Sequence, residues 1–410
     1  NMVLKFGTFR LKINIEREVF CLFINSVMII DLIRIFTGNT MVTNLCRNGI
    51  YLLILFFVCM DACNKKRVNN LLGMGILYIV FALFSLLVNG SDVNSLLLSG
   101  SMIFISRCLV GFYLARNIQI DEGLWNSIKK YYVLVIVYCI VYANMGSLDQ
   151  YGMREGYMTF SYNILIPTTL ILIMMIQRKQ GRVLKLIIST FLIIQLIVMG
   201  ARGPVACMAV SIIIFIWIQL AQFPLYKKLI ACGAFSLAAI LVYFARDEIL
   251  DYMLSINSTS RTLILLKNGN LFDLSNRNSY YEILIEEIKR NIILPHGLYA
   301  DRVILNQNFS GSSAISGQYA HNLFFEILYQ FGGVFGGAIL FAFFIKVYKS
   351  IKHLELINNQ IITAFYCAFA TGLISLLFSS SYLINERAWL FIGIVFAFSN
   401  IKYLTLKSNG

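Results

Sequence analysis

Three polar side chains in this sequence stand where a helix is expected to begin: Arg202 in MGARGPVACMAV, Arg277 in SNRNSYYEILIEEIKRNIILP and His321 in AHNLFFEILYQFGGVFGG. The first-turn N–H groups of a helix lack intrahelical partners and form the positive end of its dipole. An arginine there is mildly disfavoured unless an anion is shared between its guanidinium and those N–H groups. A histidine there is pushed toward the neutral form, which can accept a proton at pH 7. Two cations for an anion and one general base is the chemistry these residue types permit. Each also has a plainer role: Arg202 as an interfacial anchor, Arg277 as a solvated loop residue, His321 as a helix cap.

The elements that must hold these groups follow from composition. Of 410 residues, 59% are hydrophobic and only 13% charged, against roughly a quarter charged in soluble domains. The chain therefore reads as an all-α polytopic membrane protein. Four prolines and abundant Leu, Ile and Phe favour spanning helices over the weak alternation of an outer-membrane barrel. The net charge of +14 does not imply nucleic acid, because the Lys and Arg residues sit in short breaks between apolar runs and form no basic face on a soluble domain. Nine cysteines lie in or beside those runs without CxxC spacing or a Cys/His cluster, and read as small buried hydrophobes.

A helix crossing the hydrocarbon needs roughly 20 apolar residues. Twelve such runs are visible, at about 18–36, 47–63, 70–89, 94–115, 130–146, 158–177, 183–199, 203–222, 229–245, 321–345, 360–383 and 387–404, the second and fifth being short. The basic segment KFGTFRLKINIER leads straight into the first, which reads as a retained anchor. Most Lys and Arg in the short connections fall on one side if both termini are cytoplasmic. The organisation expected is transmembrane helices 1–9 over 1–245, one extracytoplasmic loop over 246–320, and helices 10–12 over 321–410. That loop, of 75 residues, is the place to look for function.

Within the loop, Ser279 and Glu282 have capping-box spacing. Tyr281, Leu284, Ile285, Ile288 and Ile292 then recur at helical spacing and predict an amphipathic helix ending near Pro295, with Arg277 just before its N-cap. Gly203 and Pro204 predict the start of span eight. Asn322 could orient His321 or bind substrate, while Leu323, Phe324, Ile327, Leu328 and Phe331 read as packing surface. Gly332-x3-Gly336 and Gly333-x3-Gly337 would let another helix approach closely.

Charges inside the apolar runs need partners, since one at mid-membrane costs roughly 2.5–3.5 kcal/mol. Asp31 and Arg34 could pair at i,i+3 spacing. For Arg107, near the middle of span four, a structural pair and a ligand contact are both open. Arg154 and Glu155 in DQYGMREGY, and Glu326 one turn below His321, are further cavity candidates. Arg246, Arg261, Arg290 and Arg302 have no geometry fixed by sequence.

The ARG triplet opening a span, the long outer loop with its arginine, amphipathic helix and late Leu-Pro-x-Gly, and HNLFFEILYQFGG opening the next span together resemble the O-antigen ligase and Wzy-type polysaccharide polymerase superfamily. The motifs cover about 200–345. Ala201 stands where the family often has a small hydroxyl residue, and His296 occupies the Pro-x-Gly break. The resemblance implies a glycosyltransferase-C-like fold and a glycosyltransferase that uses no metal or other cofactor. It also implies an undecaprenyl-diphosphate-linked oligosaccharide as donor and another as acceptor. By motif match, Arg202 and Arg277 would hold the diphosphate and His321 would act on the acceptor, with Asn322, Arg107, Arg154 and Glu326 as further substrate contacts.

The expectation is therefore a polymerase of surface polysaccharide in a bacterial inner or plasma membrane, with its active site facing the periplasm or cell exterior. Its partners would be the lipid bilayer, a flippase and a chain-length regulator, with no nucleic acid. The alternatives are an O-antigen ligase acting on lipid A core or another acceptor and, from another class, a polysaccharide flippase or transporter. A transporter should show paired halves or spans broken near the midplane, and the sequence displays neither clearly.

Overall fold

Without water to satisfy them, backbone N–H and C=O groups in hydrocarbon must bond within one segment, so long apolar runs fold as helices. The computed structural model describes residues 2–6, 9–145, 156–198, 202–221, 246–256, 277–309 and 319–399, with a few isolated positions between 224 and 267. Apart from an antiparallel hairpin, β1 (Met2–Phe6) and β2 (Phe9–Ile13), every described element is helical. The helices are α1 (Ile15–Thr37), α2 (Thr40–Asn64), α3 (Val68–Asn89), α4 (Asn94–Ile103), α5 (Val110–Asn117), α6 (Glu122–Met145), α7 (Tyr157–Gln177), α8 (Arg182–Val198) and α9 (Arg202–Ala221). They continue with α10 (Arg246–Ile256), α11 (Arg277–Arg290), α12 (Ala300–Phe309), α13 (Leu323–Phe331), α14 (Gly333–Ile357), α15 (Gln360–Ser375) and α16 (Glu386–Phe398).

The described residues contain seven segments long and apolar enough to cross a membrane: Ile15–Thr37, Thr40–Asn64, Leu71–Asn117, Glu122–Met145, Tyr157–Gln177, Arg202–Leu220 and Gly333–Ile357. This is fewer than the twelve expected, for identifiable reasons. Runs 70–89 and 94–115 join in one 47-residue stretch that folds back through a 3₁₀ turn at Gly90–Val93. The reversal is plain from Tyr78 and Phe104, whose rings stack at 4.1 Å. In a straight helix those residues, 26 apart (104 − 78), would lie about 39 Å from each other. The helices α8, α15 and α16 are shorter than a full span, at 17, 16 and 13 residues. The run at 229–245 lies outside the described residues. Conversely, the two runs expected to be short extend to 25 and 24 residues, because polar ends such as Thr40 to Arg47 and Glu122 to Lys130 continue the helix beyond the apolar stretch.

Two compact units are built from interleaved pieces of chain: residues 1–47, 119–273 and 354–371 form one, and residues 48–118, 274–353 and 372–410 the other. In the first, the expected pair of Asp31 and Arg34 forms at 3.6 Å. Asp31 also accepts hydrogen bonds from Tyr138 Oη at 2.9 Å and Asn163 Nδ2 at 3.2 Å, so this intramembrane charge is compensated. Arg202 is the first residue of α9 in the same unit.

The second unit carries α11 and α12. Its main core joins Tyr78, Phe104, Phe112, Leu323, Ile327 and Trp389, among others, with Trp389 edge-on to Phe104 at 5.1 Å and to Phe112 at 6.1 Å. A smaller core joins Tyr280 and Leu284 of α11 to Ala300 and Leu305 of α12, Ala320, and Tyr329 of α13.

Two expectations change here. The amphipathic helix begins at Arg277 itself, so Ser279 lies inside it rather than capping it. Tyr280 and Leu284 form its buried face, and it ends at Arg290, which leaves Ile292 exposed. The expected span 321–345 is divided at Gly332, whose φ of +78° ends α13 before α14 begins. A Cβ at Gly332 would lie 2.6 Å from the Ile293 carbonyl oxygen, and one at Gly336 would lie 2.7 Å from that of Ile327. The closely spaced glycines thus admit the segment after α11 and the helix immediately before them.

Gly332→Ala combines strained positive φ with this contact. It is expected to destabilise the protein by about 1–3 kcal/mol, visible as an earlier thermal unfolding transition in detergent, whereas Gly337→Ala, with open space at its Cβ, should leave the transition near wild type.

Candidate functional site

The approach to His321 is built by three segments of the second unit: the head of α11, the residues leading into α13, and the non-helical break between α15 and α16. Helical spacing puts Arg277 and Tyr280 on one face of α11. Arg277 is half-buried and its Nη1 donates to the Phe378 carbonyl in the break at 2.5 Å, which uses one of the five guanidinium N–H groups. The carbonyl of the next residue, Ser379, accepts from Tyr319 Oη at 2.5 Å and also receives a hydrogen bond from the His321 imidazole. Arginine, tyrosine and histidine are thereby gathered on two consecutive peptide oxygens.

His321 itself has φ of +51°, a left-handed conformation uncommon for a residue with a Cβ. The residues on either side hold it there. The N–H of Ala320 donates to Asp301 Oδ2 at 3.3 Å, and the N–H of Leu323 donates to the Leu376 carbonyl at 2.9 Å. The imidazole lies on the Tyr319 ring, centroids 3.7 Å apart, with Tyr280 nearly parallel at 6.5 Å. Its Nδ1 is buried and has no hydrogen-bond partner among the described residues. With the bond to Ser379 made through Nε2–H, Nδ1 carries the lone pair that can take a proton.

Electrostatics favour that state. Burial is the largest influence on His321, followed by the positive charges of Arg277 and Arg302. Together they outweigh the Ser379 carbonyl and lower its pKa from 6.5 to about 4. The imidazole is neutral at pH 7.

Beneath this group lies a fully buried ionic cluster. Arg302 Nη1 sits 3.6 Å from Asp301 Oδ1 and 3.7 Å from Glu326 Oε1, all three side chains fully shielded from solvent. Glu326 accepts from the Ser381 hydroxyl and, at 3.4 Å, from the Tyr382 N–H. Asp301 accepts from Gln330 Nε2 at 2.7 Å, and Gln330 Oε1 in turn accepts from Tyr382 Oη at 2.5 Å. Burial and the neighbouring Asp301 hold the Glu326 carboxyl above its ordinary range, against the opposing effect of Arg302. Tyr382 also lines an apolar cavity of about 390 Å³, together with Tyr78, Phe104, Leu323, Ile327 and Trp389 among others.

Other expected site residues lie elsewhere or do something else. Asn322 is the N-cap of α13, its Oδ1 accepting from the Phe324 N–H at 2.9 Å, and it is in hydrogen-bond contact with Tyr281. Arg107 occupies a π-helical turn, Phe104–Leu109, with its guanidinium 4.5 Å from the centroid of the Tyr51 ring. Arg154 falls outside the described residues. Arg202 belongs to the first unit, and Arg277, His321 and Glu326 to the second. His296 is structural in its contacts: Nδ1 bonds the Tyr329 carbonyl at 3.0 Å, and its ring stacks on Tyr329 at 4.2 Å.

Residues 187–342 match the O-antigen ligase family, in agreement with the resemblance carried by the motifs. The matched stretch contains Arg202, Arg277, His321, Asn322 and Glu326, together with Asp301 and Arg302, and excludes Arg107 and Arg154. No curated protein matches the chain.

The capping role of Asn322 makes a simple prediction. Asn322→Ala should cost about 1 kcal/mol through loss of the cap, read as a lower unfolding midpoint in detergent, and Asn322→Asp, which can cap equally well, should restore most of it.

Proposed function

We propose that this chain is a surface-polysaccharide polymerase. It would move a growing glycan from undecaprenyl diphosphate to the non-reducing end of another lipid-linked repeat unit, inverting the anomeric centre and using no metal. The observation that carries the proposal is the neutral imidazole of His321, its Nδ1 lone pair unengaged among the described residues, beside the cationic head of α11.

In the proposed step the acceptor hydroxyl oxygen attacks the anomeric carbon as the bond to the diphosphate oxygen breaks. The bonding pair leaves with undecaprenyl diphosphate, and the hydroxyl proton passes to His321 Nδ1. Negative charge grows on the leaving diphosphate, so a guanidinium at Arg277 stabilises the transition state more than the ground state. The first-turn N–H groups of α11 add donors to the same anion, and arginine offers phosphate a bidentate fork. Arg202, also at a helix head and also within the matched stretch, is proposed as the second diphosphate ligand on its motif alone; Arg107, Arg154 and Asn322 remain proposed substrate contacts. The apolar cavity suits the first isoprene units of a lipid carrier.

The same reading assigns residues 246–320 to the outer side of an inner or plasma membrane, flanked by transmembrane regions 1–245 and 321–410, with both termini cytoplasmic. A flippase and a chain-length regulator would be its partners. The family description favours one second reading, a ligase that passes the finished glycan to lipid A core or another acceptor.

The test is complementation of a strain lacking this gene, with surface glycan resolved by length at matched membrane expression. Wild type is expected to restore a ladder, and His321→Ala to leave single repeat units, with turnover reduced on the order of 10²–10⁴-fold as for loss of a general base. Arg277→Ala should weaken donor use as well, whereas His321→Ala should bind donor almost normally. Long chains made but not transferred without the protein would identify the ligase, and a full ladder from His321→Ala would end the mechanism.

A further inference from the structure

The buried cluster under His321 lies outside the chemistry just proposed, yet its geometry leads to the imidazole. The Arg302 guanidinium is 4.9 Å from the centroid of the Tyr299 ring and 5.4 Å from that of Tyr319. Tyr319 carries the imidazole on its ring at 3.7 Å. The order is therefore tyrosine, guanidinium, tyrosine, imidazole, with Tyr280 nearly parallel to the last.

The far end of this stack is fixed by α3. Tyr299 is fully buried with φ of +63°, and its Oη lies 3.4 Å from Tyr78 Oη. The peptide oxygen before it, that of Leu298, accepts from Ser85 Oγ at 2.6 Å, and that of His296 accepts from Asn89 Nδ2 at 2.7 Å. Gly297 between them, with φ of +95°, has no room for a Cβ, which would sit 2.8 Å from Ser85 Cα. A side chain so buried, flanked by two carboxylates and two rings, has few alternative positions.

We propose that Arg302 is a positioning residue for His321, acting through the Tyr319 ring to fix the plane of the imidazole and, by its charge, to keep Nδ1 free to receive the acceptor proton. Asp301 acts on the same target from the backbone side, through the Ala320 N–H. The assignment rests on His321 being the base, and it adds residues that do not touch substrate.

The groups that face His321 are Arg277 and Tyr280 from α11, Arg302 from α12, Tyr319 from the segment before it, and the Ser379 carbonyl from the break after α15. Arg302 in turn faces Asp301, Glu326, Tyr299 and Tyr319. Removing the Arg302 charge takes one of the two cations from the imidazole, so the histidine should hold its proton to higher pH.

The experiment uses the full chain in nanodiscs with labelled histidine. His321 is followed by NMR against pH, its signal assigned by its absence in His321→Ala. The wild-type midpoint is expected near the 4 that burial, Arg277 and Arg302 impose. Arg302→Gln should move it toward 6.5. Arg302→Lys should keep it low, since the charge remains, while losing the planar group that stacks on Tyr319. Both variants should lower the transfer rate per folded molecule on the order of 10²-fold, the effect of an ångström-scale misplacement, with donor affinity little changed.

An unmoved midpoint and an unchanged rate in folded Arg302→Gln would overturn the assignment. If that variant does not fold, Tyr319→Leu and Tyr319→Phe decide. The phenyl ring should retain most of the rate and leucine should lose it, and equal rates in the two would overturn the assignment. The titration does not depend on the glycan readout: a full ladder from His321→Ala sinks the proposed function and leaves the midpoints standing, whereas a ladder that needs His321 but ignores Arg302 and Tyr319 sinks this inference alone.

Discussion

A guanidinium shut away from water with two carboxylates is the constraint around which the second unit is arranged. Taking such charges out of solvent is costly, and removing one partner of a buried ionic set typically costs 3–5 kcal/mol. The protein meets this by supplying hydrogen bonds from several segments at once. Asp301 is bonded by Gln330 and by the Ala320 N–H, and Glu326 by Ser381 and the Tyr382 N–H. Those partners come from α13 and its approach and from the break after α15, while Asp301 and Arg302 themselves lie on α12. Satisfying the cluster therefore ties α12 to two of the segments that surround His321, the approach to α13 and the break after α15.

Placement of a neutral base among cations has its own logic. A glycosyl transfer from a lipid diphosphate would need positive charge near the leaving group and an uncharged nitrogen near the attacking hydroxyl. These requirements reinforce each other, since Arg277 and Arg302 both disfavour protonation of His321. The carbonyls of Phe378 and Ser379 complete the arrangement by orienting arginine, tyrosine and imidazole without adding negative charge. They are available because the chain between α15 and α16 is not helical, so its peptide oxygens are not committed to a helix.

Much of this was legible in the sequence where a polar residue interrupts a strong periodic pattern. Arg202, Arg277 and His321 stood out as polar groups at helix heads, and both arginines do open helices, while His321 lies just before its own. Asp31 and Arg34 were legible as a pair because intramembrane charges demand partners. Arg302 was named only among residues without fixed geometry, since an Asp-Arg step in a polar loop has the pattern of solvated surface, and nothing local discloses that α13 closes over it. The Phe378 and Ser379 carbonyls bear no side-chain signature, and they fall within what reads as one apolar run, 360–383. The capping-box spacing at Ser279 misplaced the start of α11 because its buried face runs through Tyr280 and Leu284 rather than Tyr281. Gly332 and its neighbours read as a surface for another helix, because the small size that permits close approach also permits the positive φ that divides α13 from α14.

The most direct measurement is the pH dependence of transfer between lipid-linked glycans by the full chain in nanodiscs, expressed per folded molecule. A neutral His321 acting as base predicts that the acid limb is governed by a group titrating near 4, and that His321→Ala abolishes that limb along with most of the rate. An acid limb at the ordinary histidine value of 6.5, or the wild-type profile persisting in His321→Ala, would contradict the account.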